Sequence, residues 1–382
     1  MPRLPPSLLR HAHRTSPHLA ALLPVCRDLA SARNELRWIR EHVAELLTPS
    51  LSPSQPPLQS RSQLRLRDNS NNDSRLRTVG RNLLLGHLCR RRGQGVPLQY
   101  LLGTQPFGDL EIRCRAGVLI PRPETEAWVA RLAEVVREDS ARDGGKGLRV
   151  LDLCTGTGCI ALLLHSLLRR RSAGLRVRGV DIEPRAVALA RENLAYNTRL
   201  GFLPKTEQDV AFEKADIFSA DWLSSLLSRD GDGLGKEKGM GIGVVDILVS
   251  NPPYISTRGF NCDTERSVRR YEPRLALVPA PSTGLPESPE CQLEDIFYAR
   301  ILGVAKVLQP RLTVLEVGDL AQGLRVVQMA RSLCGGVEIE IWRDWPDIKS
   351  SEDEPENVKV DGMEVPVRGS GHGRALFIRR VD

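Results

Sequence analysis

Apolar positions change their spacing along the chain. Between residues 28 and 47, Leu29, Leu36, Ile39, Val43, Leu46 and Leu47 recur at nearly helical intervals and predict a helix. A second helix is predicted near Leu76 to Cys89, closed by Arg90-Arg91-Arg92-Gly93. Basic residues followed by Gly suit the negative end of a helix and the turn beyond it. Between them, Thr48 to Pro57 is rich in Ser and Pro, and Asn69 to Ser74 is polar and low in complexity. About 48–74 is therefore expected to be a flexible insertion in a small helical domain over 28–92. Residues 93–147 read as a linker and strand region, with the linker and short strands over 93–126 and a helix that Glu124 and Glu126 open and that runs to about Val136.

From Leu148 onward, continuous apolar runs alternate with helical segments. Leu148 to Leu153 predicts a buried strand, Cys159 to Leu168 an apolar helix, Leu175 to Val180 a strand ending at Asp181, and Pro184 to Tyr196 a helix. A third short strand precedes Asp216. A fourth runs from Val244 to Ser250, a helix lies near Leu293 to Val307, and a fifth strand spans Leu312 to Val317. Val337 to Trp342 and Ala375 to Arg379 are candidate closing strands, with the acidic stretch Asp347 to Glu356 as a solvated loop between them. Residues 229–243 and 278–292 read as loop insertions. The alternation predicts an α/β domain over 148–382 with a mostly parallel, doubly wound sheet. In such sheets ligands sit beyond the carboxyl ends of the strands.

Charge is unevenly placed. The 382 residues carry a net charge of +7. Residues 1–92 hold 16 Arg, no Lys and 6 acids, for +10, which leaves the rest at −3. A slightly acidic body is not that of a duplex DNA binder, whose affinity rests on neutralising phosphates. Residues 1–27 contain Arg3, Arg10, Arg14 and Arg27 and no acid, the composition of a mitochondrial transit peptide rather than of a secretory signal. The eight Cys show no C-x-x-C pair and no zinc spacing, which suits free thiols in a reducing compartment. No apolar run reaches a transmembrane length, so no membrane partner is expected.

Two motifs carry chemistry. After the Leu148 strand, Cys154-Thr155-Gly156-Thr157-Gly158 forms a turn in which Gly lets the backbone approach a ligand. Asp181, ending the next strand, can accept both ribose hydroxyls of an adenosine. A full G-x-G-x-x-G is not present, because Ala161 stands at the third position. An adenosine without phosphates, as in S-adenosylmethionine, therefore fits better than a dinucleotide. The second motif, Asn251-Pro252-Pro253-Tyr254, follows the fourth strand, where two prolines end strand pairing. The Asn251 side-chain carbonyl and the Pro252 backbone carbonyl can take both hydrogens of a planar NH2 group, with Tyr254 packing on its face. This orients a weak nitrogen nucleophile toward an already activated methyl, with no metal required. Taken alone, each motif is also an ordinary turn.

Together, in this order, these motifs resemble a class I S-adenosylmethionine-dependent methyltransferase acting on nitrogen. Gln99-Tyr100-Leu101-Leu102-Gly103, Phe107-Gly108, Leu119 to Glu126 and Tyr271-Glu272-Pro273-Arg274-Leu275-Ala276-Leu277 are similar to segments of the HemK/PrmC family. Its members methylate N5 of the glutamine in the Gly-Gly-Gln motif of class 1 peptide chain release factors. The resemblance covers about 93–382. It implies a Rossmann-like doubly wound sheet behind a small helical domain that recognises substrate. It also implies that residues 154–158, Asp181, Ile217 and Asn251 hold S-adenosylmethionine, and that Asn251, Pro252, Pro253 and Tyr254 form the substrate pocket. Asn251, Pro252 and Tyr254 would be the catalytic group. Two positions depart from the family pattern: Cys154 stands at a usual Gly, and Ile217 where some members carry Trp. A release factor is then the expected partner, the mitochondrial matrix the expected location, and a monomer sufficient. Two other readings stay open on the residues alone. One is an adenine or cytosine N-methyltransferase on DNA or RNA, since exocyclic amino groups are also planar. The other is a non-enzymatic RNA- or ribosome-binding protein using the basic segment 61–92.

Overall fold

A computed structural model of the chain describes residues 3–47, 70–143, 147–170, 172, 174–205, 209–228, 245–280 and 291–381. Contacts divide it into two compact units, up to Gly103 and from Thr104. The first is helical: α1 (Pro6–Thr15), α2 (Pro17–Cys26), α3 (Leu29–Leu47), α4 (Ser70–Gly93) and the short α5 (Leu98–Leu102). Ser16 caps α2 by accepting the His18 N–H, and Arg27 ends it in the left-handed region at φ 69°. Leu19, Leu22 and Leu23 of α2 are buried, and α2 packs on both α3 and α4. Arg92 holds α4 to α3 with a two-pronged pair, Nε and Nη2 donating to Glu35 at 2.7 and 2.8 Å.

Several expectations shift here. Residues 6–26, within the segment expected as a leader, form helices, and α2 belongs to the core of this unit. The second predicted helix starts earlier, so residues 70–74 are helical rather than part of an insertion. The rest of that insertion lies outside the described residues. Pro97 to Gly103 is a helical turn, bracketed by Pro97 at its start and Gly103 at φ 81° at its end, not a linker strand. Because α5 packs on α3 and α4, the units divide after Gly103 rather than after residue 92.

The second unit opens with a hairpin, β1 (Thr104–Phe107) and β2 (Leu110–Arg113), followed by α6 (Pro123–Asp143). Then come β3 (Arg149–Leu153), α7 (Cys159–Leu168), β4 (Arg176–Asp181), α8 (Pro184–Leu200), β5 (Val210–Lys214), α9 (Ala220–Ser228) and β6 (Ile247–Ser250). The chain continues through α10 (Thr257–Cys262), α11 (Arg266–Tyr271), α12 (Ile296–Leu308), β7 (Leu312–Glu316), α13 (Leu320–Cys334), β8 (Val337–Trp345), β9 (Asn357–Val360), β10 (Met363–Arg368) and β11 (Ser370–Arg380). Nine strands form one sheet in the order β5-β4-β3-β6-β7-β11-β8-β10-β9. β5 through β7 are parallel, and β11 runs antiparallel to both β7 and β8.

Both faces of the sheet are covered, which is why its strands read as continuous apolar runs. Alternate residues serve opposite faces. Val150 and Ile247 pack with α6 and α7 through Trp128, Leu132 and Leu162. Leu151 and Leu248 pack with α12 and α13 through Ile301, Leu302 and Val326. Strand order reverses between β3 and β6, the switch point at which α/β sheets place their ligands. The predicted loop 229–243 and residues 281–290 of the predicted loop 278–292 fall outside the described residues. No described helix is long and apolar enough to cross a membrane.

Candidate active site

The two motifs leave neighbouring strands at the switch point. Leu153 pairs with Ser250, and Ser250 Oγ donates to the Leu153 carbonyl at 2.7 Å, so the ends of β3 and β6 are tied together. Beyond β3, the turn uses three left-handed residues: Cys154 at φ 60°, Gly156 at 56° and Gly158 at 79°. The Thr155 N–H bonds the Val180 carbonyl at 3.0 Å, and its hydroxyl donates to buried Asp152 at 2.5 Å. Asp181, at the end of β4, receives the Gly156 N–H on one oxygen and the Glu183 N–H on the other, each at 2.9 Å. Burial raises the Asp181 carboxyl above its usual range, against the pull of these donors.

Cys154, Thr155, Gly156, Thr157, Asp181 and Ile217 border one cavity of about 440 Å³. Asn251 and Pro253 close it from the β6 side. Gly158 does not border it. A Cβ there would lie 2.9 Å from Phe212 and 3.0 Å from Ala190, so this glycine lets α7 pack on α8 and the sheet. Ile217 is buried beside an edge-to-face pair of Phe218 and Phe297, ring centroids 4.9 Å apart. Phe297, from α12, also borders the cavity, and no sequence pattern marked it.

A second cavity, of about 660 Å³, is bordered by Asn251 and Tyr254. Asn251 thus stands in the wall between the two. Pro252 is buried and borders neither. Arg122 also borders both, and its Nη2 donates to Glu272 at 2.7 Å. The other Glu272 oxygen accepts the Ile120 N–H at 3.1 Å. This pair, buried on the Glu272 side and partly exposed on the Arg122 side, fastens the segment before α6 to the segment after α11, two stretches that the sequence singled out separately. Glu124 and Glu126 lie in the first turn of α6, where their charge suits the helix.

Behind Asn251 lies a network that the sequence reading missed. Glu316, at the end of β7, is 1% exposed. Its Oε2 accepts from Thr125 Oγ1 at 2.6 Å and from Trp128 Nε1 at 2.9 Å, and its Oε1 from the Tyr254 hydroxyl at 3.3 Å. Thr125 Oγ1 in turn lies 3.4 Å from Asn251 Nδ2. Burial pushes the Tyr254 phenol and the Glu316 carboxyl above their ordinary values. The available signal was a lone acid ending the apolar run Leu312 to Val317.

These residues suit an adenosine-bearing methyl donor. Both Asp181 oxygens keep a free lone pair for a hydroxyl after their backbone bonds are counted. Gly156 borders the cavity, and a Cβ built on it meets nothing within 4 Å, so the backbone itself faces the space. Asn251 offers one amide to both cavities, an arrangement able to hold an acceptor group against a donor.

A family model described as a methyltransferase domain matches residues 145–227. Over 279 residues the chain is 34% identical to the mitochondrial MRF1 N(5)-glutamine methyltransferase MTQ1 of Saccharomyces cerevisiae, covering 73% of this chain and 68% of that one. Over 277 residues it is 32% identical to the probable MRF1 mitochondrial N(5)-glutamine methyltransferase of Schizosaccharomyces pombe, covering 72% and 73%. It is also 37% identical over 195 residues to the release factor glutamine methyltransferase of Vibrio cholerae, covering 50% and 54%.

Proposed function

The chain belongs to the family of release factor N5-glutamine methyltransferases, and we propose the following division of labour in its site. The enzyme transfers a methyl group from S-adenosylmethionine to the side-chain amide nitrogen of the glutamine in the Gly-Gly-Gln motif of a class 1 peptide chain release factor. The observation that carries this is the position of Asn251 in the wall shared by the two cavities. S-adenosylmethionine, when bound, supplies a methyl already activated by its sulfonium. Residues 154–157 and Asp181 hold its adenosine and amino-acid ends, and Ile217 packs against the adenine.

The acceptor enters the second cavity. There the Asn251 side-chain carbonyl accepts one amide hydrogen and Tyr254 confines the amide plane, with Pro253 on the donor side of the wall. The Pro252 backbone carbonyl is the second acceptor once the amide is seated, since before that Pro252 borders neither cavity. An amide nitrogen is a weak nucleophile because its lone pair is shared with the carbonyl. Holding both N–H bonds aligns that nitrogen and favours the positive charge it gains under attack. A carbonyl pair presented by a buried, proline-stiffened turn costs no reorganisation at that moment.

Family membership sets aside the nucleic-acid and non-enzymatic readings. Location in the mitochondrial matrix is supported by the acid-free, Arg-bearing start and by the mitochondrial names of the two fungal relatives. Because Leu19, Leu22 and Leu23 are buried in the helical unit, a segment cleaved on import would end before Pro17. One acceptor per site needs no second subunit, so the monomer suffices. The test is methyl transfer from labelled S-adenosylmethionine to a mitochondrial release factor, parent or with Gln→Ala in its Gly-Gly-Gln loop. Label in the parent alone is expected, and equal labelling of both refutes the reading.

A further inference from the structure

Asn251 has a choice that its position alone does not settle. A side-chain amide can point either its oxygen or its NH2 group at an acceptor, and the two orientations fill the same space. Only the orientation with Oδ1 toward the incoming glutamine is an acceptor for that glutamine's N–H. The other would set two donors face to face.

The groups behind Asn251 decide between them. The Trp128 indole N–H can only donate, and it lies 2.9 Å from Glu316 Oε2. Ionised, Glu316 has no proton to give, and neutral, the carboxyl is favoured with its proton on Oε1, which leaves Oε2 to accept from both donors. Thr125 Oγ1 lies 2.6 Å from the same Oε2, so the Thr125 hydroxyl donates its one hydrogen there. Only lone pairs remain on the Thr125 oxygen to face Asn251. The group 3.4 Å away must then be the Asn251 NH2, which leaves Oδ1 directed away from Thr125. Thr125, Trp128 and Glu316 are 2%, 0% and 1% exposed, so water does not compete for these bonds. The Tyr254 hydroxyl ends on the other Glu316 oxygen at 3.3 Å, and Arg374 and Arg122 are cations whose charge this carboxyl feels. Two residues of the Asn-Pro-Pro-Tyr turn are thus referred to one buried acid on a neighbouring strand.

We propose that Glu316, acting through Thr125, is a positioning group that fixes the amide of Asn251 with its oxygen toward the acceptor glutamine, while its second oxygen fixes the ring of Tyr254. This rests on the function proposed above. Thr125 borders the donor cavity but is only 2% exposed, and Glu316 borders neither cavity, so their effect is on the share of enzyme in which the clamp is set the productive way.

The experiment uses Thr125→Val, which removes the hydroxyl with little change of shape, and Thr125→Ser, which keeps it. Turnover is measured with the full chain, S-adenosylmethionine and a release factor, and cofactor binding is measured by calorimetry on the same samples. Thr125→Val is expected to lower kcat about 10- to 100-fold, the size of a positioning defect. Its affinity for S-adenosylmethionine should stay within about twofold, so that the loss is confined to turnover per binding site. Thr125→Ser is expected to regain at least about a third of the parent kcat. A Thr125→Val enzyme as fast as the parent overturns the relay. So does a loss that merely tracks the loss of binding sites, or a Thr125→Ser enzyme as slow as Thr125→Val. A parent that transfers no methyl to the release factor overturns the function itself, and with it this proposal.

Discussion

Gly156 and Gly158 stand two residues apart in one turn, both left-handed, yet substitution by Ala is expected to strike different properties. For either, a Cβ in the left-handed region costs about 1–2 kcal/mol. Loss of glycine's freedom in the unfolded chain returns about 0.4–1 kcal/mol. At Gly156 nothing else opposes the methyl, because no atom lies within 4 Å of it. Gly156→Ala should therefore lose only about 1 kcal/mol of stability, or about 2–4 °C in Tm. The methyl would instead occupy the cavity beside Asp181, and S-adenosylmethionine binding is expected to weaken at least about tenfold. At Gly158 the methyl would meet Phe212 at 2.9 Å and Ala190 at 3.0 Å. Crowding of that kind adds about 1–3 kcal/mol, for a total near 2–4 kcal/mol and a Tm lower by about 5–10 °C. Calorimetric titration of the cofactor and thermal unfolding, run on both variants, separate the two effects. A Gly156→Ala protein that binds as the parent does, or a Gly158→Ala protein that melts as the parent does, refutes this division of the turn.

Cys154→Gly relieves the same left-handed cost but gives up a partly buried thiol and frees the unfolded chain, so its stability in urea should remain within about 1 kcal/mol of the parent. Cys154→Val, β-branched at φ 60°, should lose clearly more. Asp152 is fully buried, and burial raises its carboxyl from 3.8 to about 7. The folded state then binds the proton more tightly than the unfolded state does. Stability is greatest below the unfolded value and falls as pH rises from about 4 to about 7, by up to about 4 kcal/mol. Asp152→Asn should flatten that slope, with a higher Tm than the parent at pH 8 and little gain at pH 4. Parallel pH profiles for the two proteins would contradict it.

The parts legible in the sequence are those set by local pattern. α7 was read at its observed bounds because a mostly apolar run follows a glycine turn, and the core strands were found because burial on both faces leaves no polar alternation. β9 and β10 escaped notice because most of their side chains are exposed, so Asn357 to Val360 and Met363 to Arg368 show little apolar signal. α2 was taken as part of a leader because its arginine-flanked leucines carry the same composition whether they are removed or packed. The cofactor turn, Asp181 and the Asn251 turn were visible as motifs with the right neighbours. Glu316 and Phe297 were not, and Thr125 stood only inside the segment Leu119 to Glu126 with no role of its own, since the contact between residues 125 and 316 is made only when the fold brings α6 beside β7. Gly158 matched the motif by spacing, and its close packing on Phe212 and Ala190 already calls for glycine there.

Asn251→Ala is the most direct check on the account as a whole. Asn251 borders both cavities, and removing its side chain would take away one of the two carbonyls proposed to hold the acceptor amide. Methyl transfer to a release factor, followed with labelled S-adenosylmethionine, is expected to fall by at least about 10²–10³, the effect of losing one charge-stabilising group. Cofactor affinity measured on the same protein should weaken by less than about tenfold, because Asp181 and the turn at 154–157 remain. Transfer at the parent rate, with Asn251 gone, would contradict the account.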